Sequence, residues 1–194
     1  MDKANPRPPS RRPAICVFCG SSHGRTPAYT ETARQFGALL AEHGFDLVFG
    51  GGGVGLMGEV AASAAASGGR ILGVIPSFLR HLEPPSHAAS RIVVTETMND
   101  RKARMFEAAA GFAVLPGGLG TLDEFSEAVT YAQLDLHDKP IVLVNAGGFF
   151  SPLLAFIDHF IAEGFAAPEV RKLFQVAATP EEAIRLFEHL RVTA

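Results

Sequence analysis

Cysteine is scarce in this 194-residue chain, which contains two residues of this type, Cys16 and Cys19. They form a C-x-x-C at the end of a predicted first strand. A thioredoxin-like motif opens a helix directly, whereas a Gly-Ser-Ser loop follows here, so a redox pair is not expected. We interpret the thiols as free and as buried or half-buried. The seven histidines show no H-x-x-x-H or Cys/His spacing, so no metal site is expected.

The chain also lacks a strong charge of either sign and long apolar runs. Its net charge is −3 and its isoelectric point is about 6.2, so nothing in its electrostatics favours nucleic acid or an anionic membrane. The apolar stretches are short and interrupted, and no transmembrane helix is predicted. Residues 1–12 are basic and rich in proline but lead into no apolar segment, so they do not resemble a signal peptide. We predict that they form a disordered tail.

Short apolar runs alternate with helical patterns along the rest of the chain. Strands that are apolar throughout are buried on both faces, and the intervening helices supply the crossovers. The pattern predicts an α/β fold in which residues 13–194 form a single Rossmann-like domain, with a doubly wound, mainly parallel sheet and helices on both faces. Ligands bind beyond the carboxyl ends of the strands in such a sheet. About seven strands are predicted, at residues 14–19, 46–49, 71–75, 91–95, 112–115, 141–145 and, more weakly, 174–177.

Four helices carry a recognisable start. Thr26, Ser151 and Thr179 each precede a proline, which predicts an N-cap residue followed by proline at the first helical position. Thr179 continues to Glu182 as a capping box. The first of these helices has Tyr29, Ala33, Phe36 and Leu40 at the spacing of a core-facing stripe. The fourth start is predicted at Thr121.

The run from Pro116 to Glu124, Pro-Gly-Gly-Leu-Gly-Thr-Leu-Asp-Glu, is the most informative part of the chain. It joins a buried strand to a helix with a predicted apolar stripe at Leu122, Phe125, Val129 and Ala132. Glycines at such a junction let the backbone approach a ligand, and the helix N-terminus favours an anion such as phosphate. The alternative is that Thr121 and Glu124 merely form a capping box. Capping does not require three glycines, so we favour a site.

Two other features lie at the same predicted edge. The run Gly53 to Gly58 matches G-x-G-x-x-G, but no acidic residue ends the next strand, so a dinucleotide site is not favoured. We interpret this region as a second glycine loop against the same ligand, comprising Gly51, Gly52, Gly53 and Gly55. Arg101 and Lys102 lie early in a helix that begins near Met98, where they can contact a phosphorylated substrate. The irregular stretch 76–90 could form a wall or flap.

With these motifs in place, the chain closely resembles the LONELY GUY family of cytokinin-activating phosphoribohydrolases, whose members are often misnamed lysine decarboxylases. The resemblance covers residue 14 to the C-terminus and includes Arg101-Lys102 and P-G-G-x-G-T-x-x-E. Asn99 departs from the histidine that usually follows the methionine. The family implies hydrolysis of the N-glycosidic bond of adenosine 5′-monophosphates, typically N6-substituted, to free base and ribose 5-phosphate. It also implies a cytosolic homodimer and no metal or organic cofactor.

The resemblance assigns catalysis to Arg101 and Glu124. A carboxylate near the sugar would stabilise an oxocarbenium-like state or orient water. A lysine decarboxylase fits poorly, because no lysine lies in the setting of a Schiff base. The alternative from another class is a non-catalytic carrier of a nucleotide or phosphorylated cofactor, which needs the glycines but not the Arg101–Glu124 pair. The expected substrate-binding residues are Glu83, Met98, Arg101, Lys102, Gly117, Gly118, Leu119, Gly120, Thr121, Glu124 and Thr130.

Overall fold

A computed structural model of the protein describes residues 12–81 and 84–191. These residues form one seven-stranded sheet in the order β4-β3-β2-β1-β5-β6-β7, and every strand pair is parallel. The predicted fold class is confirmed. The strands are β1 (Ala14–Phe18), β2 (Asp46–Phe49), β3 (Ile71–Pro76), β4 (Arg91–Thr95), β5 (Gly111–Val114), β6 (Ile141–Val144) and β7 (Gln175–Ala177).

Helices cover both faces of the sheet, each burying an apolar stripe. Phe36 of α1, Val60 of α2 and Ile184 of α6 belong to the core on one face. Met105 of α3 and Phe125 of α4 belong to the core on the other, together with residues of α5. The helices are α1 (Pro27–Glu42), α2 (Gly55–Ala66), α3 (Met98–Ala108), α4 (Leu119–Gln133), α5 (Ser151–Ala162) and α6 (Pro180–Phe187).

The order in which strands are added to the sheet reverses between β1 and β5. From β1 the chain winds outward through β2 and β3 to the edge strand β4, and it then returns to place β5 on the other side of β1. In open α/β sheets, ligands bind beyond the carboxyl ends of the strands at this switch point. The segments that leave β1 and β5 here are the Cys19–Ser21 loop and the predicted glycine loop. The topology therefore places the candidate site between them.

Two of the four predicted helix starts, those at Thr26 and Thr179, are confirmed. Thr179 caps α6: its hydroxyl accepts a hydrogen bond from the Glu182 amide at 3.3 Å, and the Glu182 carboxylate accepts one from the Ala178 amide at 2.7 Å. Thr26 precedes α1, where Ala33, Phe36 and Leu40 are fully buried as predicted. The prediction of an N-cap at Ser151 was wrong. Phe150 is the N-cap and Ser151 is helical, because the Asn145 side chain accepts from the Phe150 amide at 2.7 Å.

Parts of two predictions lie outside the described residues. Of the predicted tail 1–12, the structure describes only Arg12, which is exposed. Glu83, assigned to the substrate pocket by resemblance, lies outside the described residues as well. None of the described helices combines the length and apolar character that a membrane span requires.

Candidate active site

The glycine loop after β5 ends at the N-terminus of α4. The helix begins at Leu119, with Gly118 as an N-cap that makes no side-chain hydrogen bond. The first intrahelical amide bond in this turn runs from Leu122 to the Gly118 carbonyl, at 3.0 Å. The amides of the preceding helical residues therefore have no intrahelical acceptor, which makes this end of α4 suitable for an anion.

The predicted helix start at Thr121 was wrong, and the capping box that was the alternative for Thr121 and Glu124 does not form. Thr121 lies inside the helix rather than before it, because the helix begins two residues earlier, at Leu119. The predicted stripe is confirmed except at Leu122: Phe125 is buried and Val129 and Ala132 pack against the core, whereas Leu122 is 39% exposed. Thr121, Glu124 and Ala128 are also buried. Glu124 thus lies on the inner face of α4 and does not serve as the reciprocal partner of an N-cap threonine.

The glycines of the loop differ in what surrounds them. A Cβ atom on Gly117 would overlap the Thr121 side chain and lie 2.9 Å from the Gly20 amide nitrogen. Close packing between the loops after β1 and β5 therefore requires glycine at 117. A Cβ on Gly118 or Gly120 would meet no heavy atom within 4 Å. Protein packing does not explain these two glycines, whereas close approach of a ligand does.

A cavity of about 190 Å³ lies beside this loop, with a buried arginine and a buried glutamate in its wall. Arg101 is 7% exposed and Glu124 is 8% exposed. Neither forms any of the ion pairs found among the described residues. The lining residues are Val17, Cys19, Gly20, Ser21, Gly50, Met57, Arg101, Met105, Gly118, Leu119, Gly120, Thr121 and Glu124.

Backbone carbonyls hold the guanidinium of Arg101. Its Nε donates to the Val74 carbonyl at 3.2 Å, and its Nη2 donates to the Gly50 carbonyl at 3.1 Å. The carbonyls compensate the buried guanidinium without neutralising its positive charge. A cation held in this way, in a wall shared with the N-terminal end of α4, favours a negatively charged ligand.

Glu124 has an unusual acidity. Burial raises the pKa of its carboxyl from the ordinary value of 4.5 to about 7; the positive charge of Arg101 opposes this rise, and the negative charge of Asp123 adds to it. The carboxyl can therefore exchange a proton near neutral pH, as a catalytic acid or base requires.

We expect this pKa to affect stability. A carboxyl whose pKa is higher in the folded protein than in the unfolded chain holds its proton more tightly when folded. The free energy of unfolding therefore falls as the pH rises through the window from about 4.5 to 7, by up to about 3 kcal/mol from Glu124 alone. Glu124→Gln, which mimics the neutral carboxyl, should have a melting temperature near that of the wild type at about pH 5 and several degrees higher at about pH 8.

Calorimetric scans of the two proteins at both pH values, without substrate, test this expectation. The comparison cancels the titration of every other group. An equal difference in melting temperature at both pH values would show that the carboxyl has an ordinary pKa in the folded protein.

Lys102 lies next to the cavity but does not line it. Its Nζ is 3.0 Å from Asp123 Oδ2 and 2.6 Å from Glu127 Oε2, and Tyr131 donates a hydrogen bond to Glu127 Oε1 at 2.8 Å. Two carboxylates of α4 thus compensate its charge. In this arrangement Lys102 joins the helix that carries Arg101 to the helix that carries Glu124.

The other predicted residues divide into two groups. Arg101, Glu124 and the residues from Gly118 to Thr121 meet in the cavity wall. Met98 and Thr130 lie on exposed surface instead, and Gly117 lines a neighbouring pocket with Tyr29 and Phe149. Sequence reasoning did not assign Cys19, Ser21, Gly50, Met57 or Met105 to the site. The strand-end rule could have found the first three, because each lies just after β1 or β2.

The second glycine loop contacts protein rather than this cavity. The Gly53 amide donates to the Pro84 carbonyl at 2.7 Å, and the Ser86 amide donates to the Gly51 carbonyl at 2.9 Å. Gly52 forms an isolated β-bridge with Pro85. Gly55 has a φ of +60°, and a Cβ there would overlap the Ser21 backbone. These glycines therefore contact the backbone of the segment after β3 and of the loop after β1.

A larger cavity of about 530 Å³ lies at the opposite edge of the sheet, where the strands begin. Its charged lining includes Arg70 and Asp46, which neutralise each other in an ion pair of 2.7 Å. It contains neither the glycine loop nor the buried Arg101 and Glu124. We therefore place the site at the smaller cavity.

The fold and the site define the class of the protein: a doubly wound α/β protein whose switch point presents a glycine-flanked helix N-terminus, a buried arginine and a buried glutamate. This is the geometry of a protein that binds or acts on a phosphorylated nucleotide. Residues 57–187 match the family described as "Possible lysine decarboxylase".

Curated relatives make the assignment more specific. The chain is 44% identical to a cytokinin riboside 5′-monophosphate phosphoribohydrolase of Arabidopsis thaliana, an alignment that covers 92% of this chain and 82% of the relative. It is 42% identical to the enzyme of the same name from Oryza sativa subsp. japonica, over 92% of this chain and 74% of the relative. The chain belongs to the LONELY GUY family, as its motifs indicated.

Solved structures share the fold. The molybdenum cofactor binding protein from Rippkaea orientalis is 27% identical, with a TM-score of 0.72 over 93% of this chain and 98% of that one. The molybdenum cofactor carrier protein from Chlamydomonas reinhardtii is 24% identical, with a TM-score of 0.69 over 94% of this chain and 99% of that one. The second likeness concerns the fold alone.

Proposed function

We propose that the protein hydrolyses the N-glycosidic bond of adenosine 5′-monophosphates, including N6-substituted ones, to the free base and ribose 5-phosphate. The observation that carries this proposal is the buried Glu124, which shares a cavity wall with Arg101 and the open N-terminal end of α4. The named activity of relatives 42–44% identical to the chain supports it independently.

In this proposal the phosphate is bound at Gly118–Thr121 and the ribose lies toward Glu124. The bond between C1′ and the base nitrogen breaks, and the base takes the electron pair. Positive charge then builds on the sugar, where a carboxylate stabilises it. Water adds to C1′, one of its protons passes to the base, and water is the only co-reactant. A carboxyl with a pKa near 7 can take a proton from that water at neutral pH.

The arrangement of the lysines does not support Schiff-base decarboxylation. No lysine lines the cavity in the described part of the chain. Lys102 is paired with Asp123 and Glu127, and the Lys139 Nζ donates to the Phe106 carbonyl at 2.7 Å. Neither amine is positioned to attack a bound carbonyl.

The direct test is to incubate the protein with AMP and with isopentenyladenosine 5′-monophosphate. Chromatography should detect free base and ribose 5-phosphate in equal amounts. The ratio of kcat/KM for the two substrates gives the preference for the N6 substituent. If the protein released free base from neither nucleotide, the proposal would be rejected.

The second candidate is a carrier, and the likeness to the Rippkaea orientalis molybdenum cofactor binding protein supports it. A carrier needs the phosphate-binding loop but no reacting carboxyl. Tight binding of AMP in calorimetry, combined with no base release, would favour this alternative. The buried Glu124 beside Arg101 favours the enzyme.

We also infer that the protein is a cytosolic homodimer, as the family resemblance implies. Four large apolar side chains are exposed on α5 and in the residues that follow α4 and α5. A cluster of exposed apolar side chains of this size is typical of a contact between subunits. They are Leu134 at 61%, Leu136 at 66%, Phe156 at 61% and Phe165 at 86% exposed.

Light scattering at micromolar concentration should give twice the chain mass of 20.6 kDa. Phe156→Glu should shift the protein toward the monomer, because it would place a charge in the apolar contact. Phe78→Glu serves as a control, since Phe78 is also exposed, at 53%, but follows β3. A wild-type mass of 20.6 kDa would contradict the dimer.

A further inference from the structure

Gly50 directly follows β2 and contacts the buried arginine of the site. Its carbonyl accepts a hydrogen bond from Arg101 Nη2 at 3.1 Å. The second acceptor, the Val74 carbonyl, belongs to the neighbouring strand β3. A carbonyl within β3 and the carbonyl of the residue after β2 thus hold the guanidinium, and Gly50 accepts from its outer nitrogen.

Glycine is needed at position 50 for space rather than for backbone conformation. Gly50 is not among the residues of the described chain with positive φ, whereas its neighbour Gly51 has a φ of +81°. A Cβ on Gly50 would overlap Arg101 Nη2 and would lie 3.2 Å from Arg101 Cζ and 3.1 Å from Met57 Sδ. The space that a methyl group would take at Gly50 is the space that the guanidinium fills.

We infer that Gly50, which directly precedes the second glycine loop and lines the cavity, is a positioning residue for Arg101. The inference rests on the proposed function, because it assumes that Arg101 acts on the substrate. The overlapping atoms belong to the flexible end of the arginine. A methyl group at position 50 therefore displaces the guanidinium and breaks its hydrogen bond to the Gly50 carbonyl, while the loop stays folded.

The test is a double-mutant cycle with Gly50→Ala and Arg101→Ala, read both by kcat/KM for AMP and by melting temperature. Gly50→Ala alone should lower kcat/KM by about ten-fold or more, as expected when a misplaced charged group loses its contact. In the Arg101→Ala background it should cause no further loss, because the group that it displaces is already absent.

The stability readout does not depend on activity. Removing the Arg101 side chain leaves room for the methyl group, so the double variant should melt at a higher temperature than expected from the sum of the single changes. A purely structural role of Gly50 would not produce this rescue. Gly53→Ala, in the adjoining second glycine loop, is the matched control. Its Cβ would lie 3.1 Å from the Pro84 carbonyl oxygen rather than near Arg101, so its effects should add to those of Arg101→Ala.

The outcomes separate the two proposals. Additive effects of Gly50→Ala and Arg101→Ala on both readouts, or full activity of Gly50→Ala, would overturn the positioning role. Absence of base release by the wild type would instead reject the proposed function. In that case the coupling in melting temperature still decides whether Gly50 positions Arg101.

Discussion

Glu124→Gln is expected to lower kcat for base release on the order of 10²-fold or more while AMP binding persists. The substitution keeps the shape of the side chain but removes the negative charge that we propose stabilises a ribosyl cation and the group that we propose accepts a proton from water. The glycine loop proposed to bind the phosphate is untouched, so the Kd for AMP, measured by calorimetry, should change little. In the wild type, kcat/KM should rise with pH as the Glu124 carboxyl, with its pKa of about 7, becomes ionised.

The control for this substitution is Glu107→Gln, which neutralises an exposed carboxylate of α3 whose partner is Arg104. Its kcat should stay within a few-fold of the wild type. Near-normal turnover by a well-folded Glu124→Gln protein would remove Glu124 from the mechanism and favour the carrier. A pH profile that keeps its rise near neutrality in Glu124→Gln would assign the titration to another group.

The second large effect concerns the substrate phosphate. Adenosine should be hydrolysed with a kcat/KM on the order of 10² lower than that of AMP, or lower still. Charge-assisted hydrogen bonds are each worth roughly 1.5–3 kcal/mol, and two of them from the N-terminal amides of α4 already give this factor. The measurement is a direct comparison of base release from the two compounds. Equal values would exclude the phosphate-binding role of the loop.

Gly120→Ala tests the same loop from the protein side. A Cβ there meets no atom of the folded chain within 4 Å, and alanine favours a helix more than glycine does, so stability should be kept or slightly raised. The methyl group would occupy the space that the ligand needs. KM for AMP should therefore rise, whereas the slow turnover of adenosine should change little. An unchanged KM would place the phosphate elsewhere.

The sheet was the part of the structure most readily predicted from the sequence. The predicted strands at 46–49 and 91–95 coincide with β2 and β4, because apolar runs bounded by polar residues or glycine show both ends of a strand. The start of α4 was harder to predict from the sequence. Gly118 makes no side-chain cap, so no residue type marks the true start, and a threonine inside the helix resembled one.

The candidate site was predicted in its residue types but not in its contacts. Arg101 was identified as a cation near phosphate, yet its acceptors are backbone carbonyls that lie 27 and 51 positions away in the sequence. Any residue can supply a carbonyl, so no side-chain pattern reveals such partners. The wall residues Met57 and Met105 were missed for a similar reason, because a buried methionine in a cavity wall has the same sequence pattern as one in the core.

Cys16 of β1 and Cys19, which directly follows β1, lie on opposite faces of the sheet, each in the core on its own face. Burial raises the pKa of both thiols, and the nearby charge of Glu124 adds to the rise. Since alkylating reagents attack the thiolate, Cys16 reacts only when the centre of the sheet opens. Cys19 lines the candidate cavity, so a ligand bound there would shield its thiol. In the unaltered protein, the alkylation rate of Cys16 therefore reports on opening of the sheet, and the alkylation rate of Cys19 reports on occupancy of the cavity.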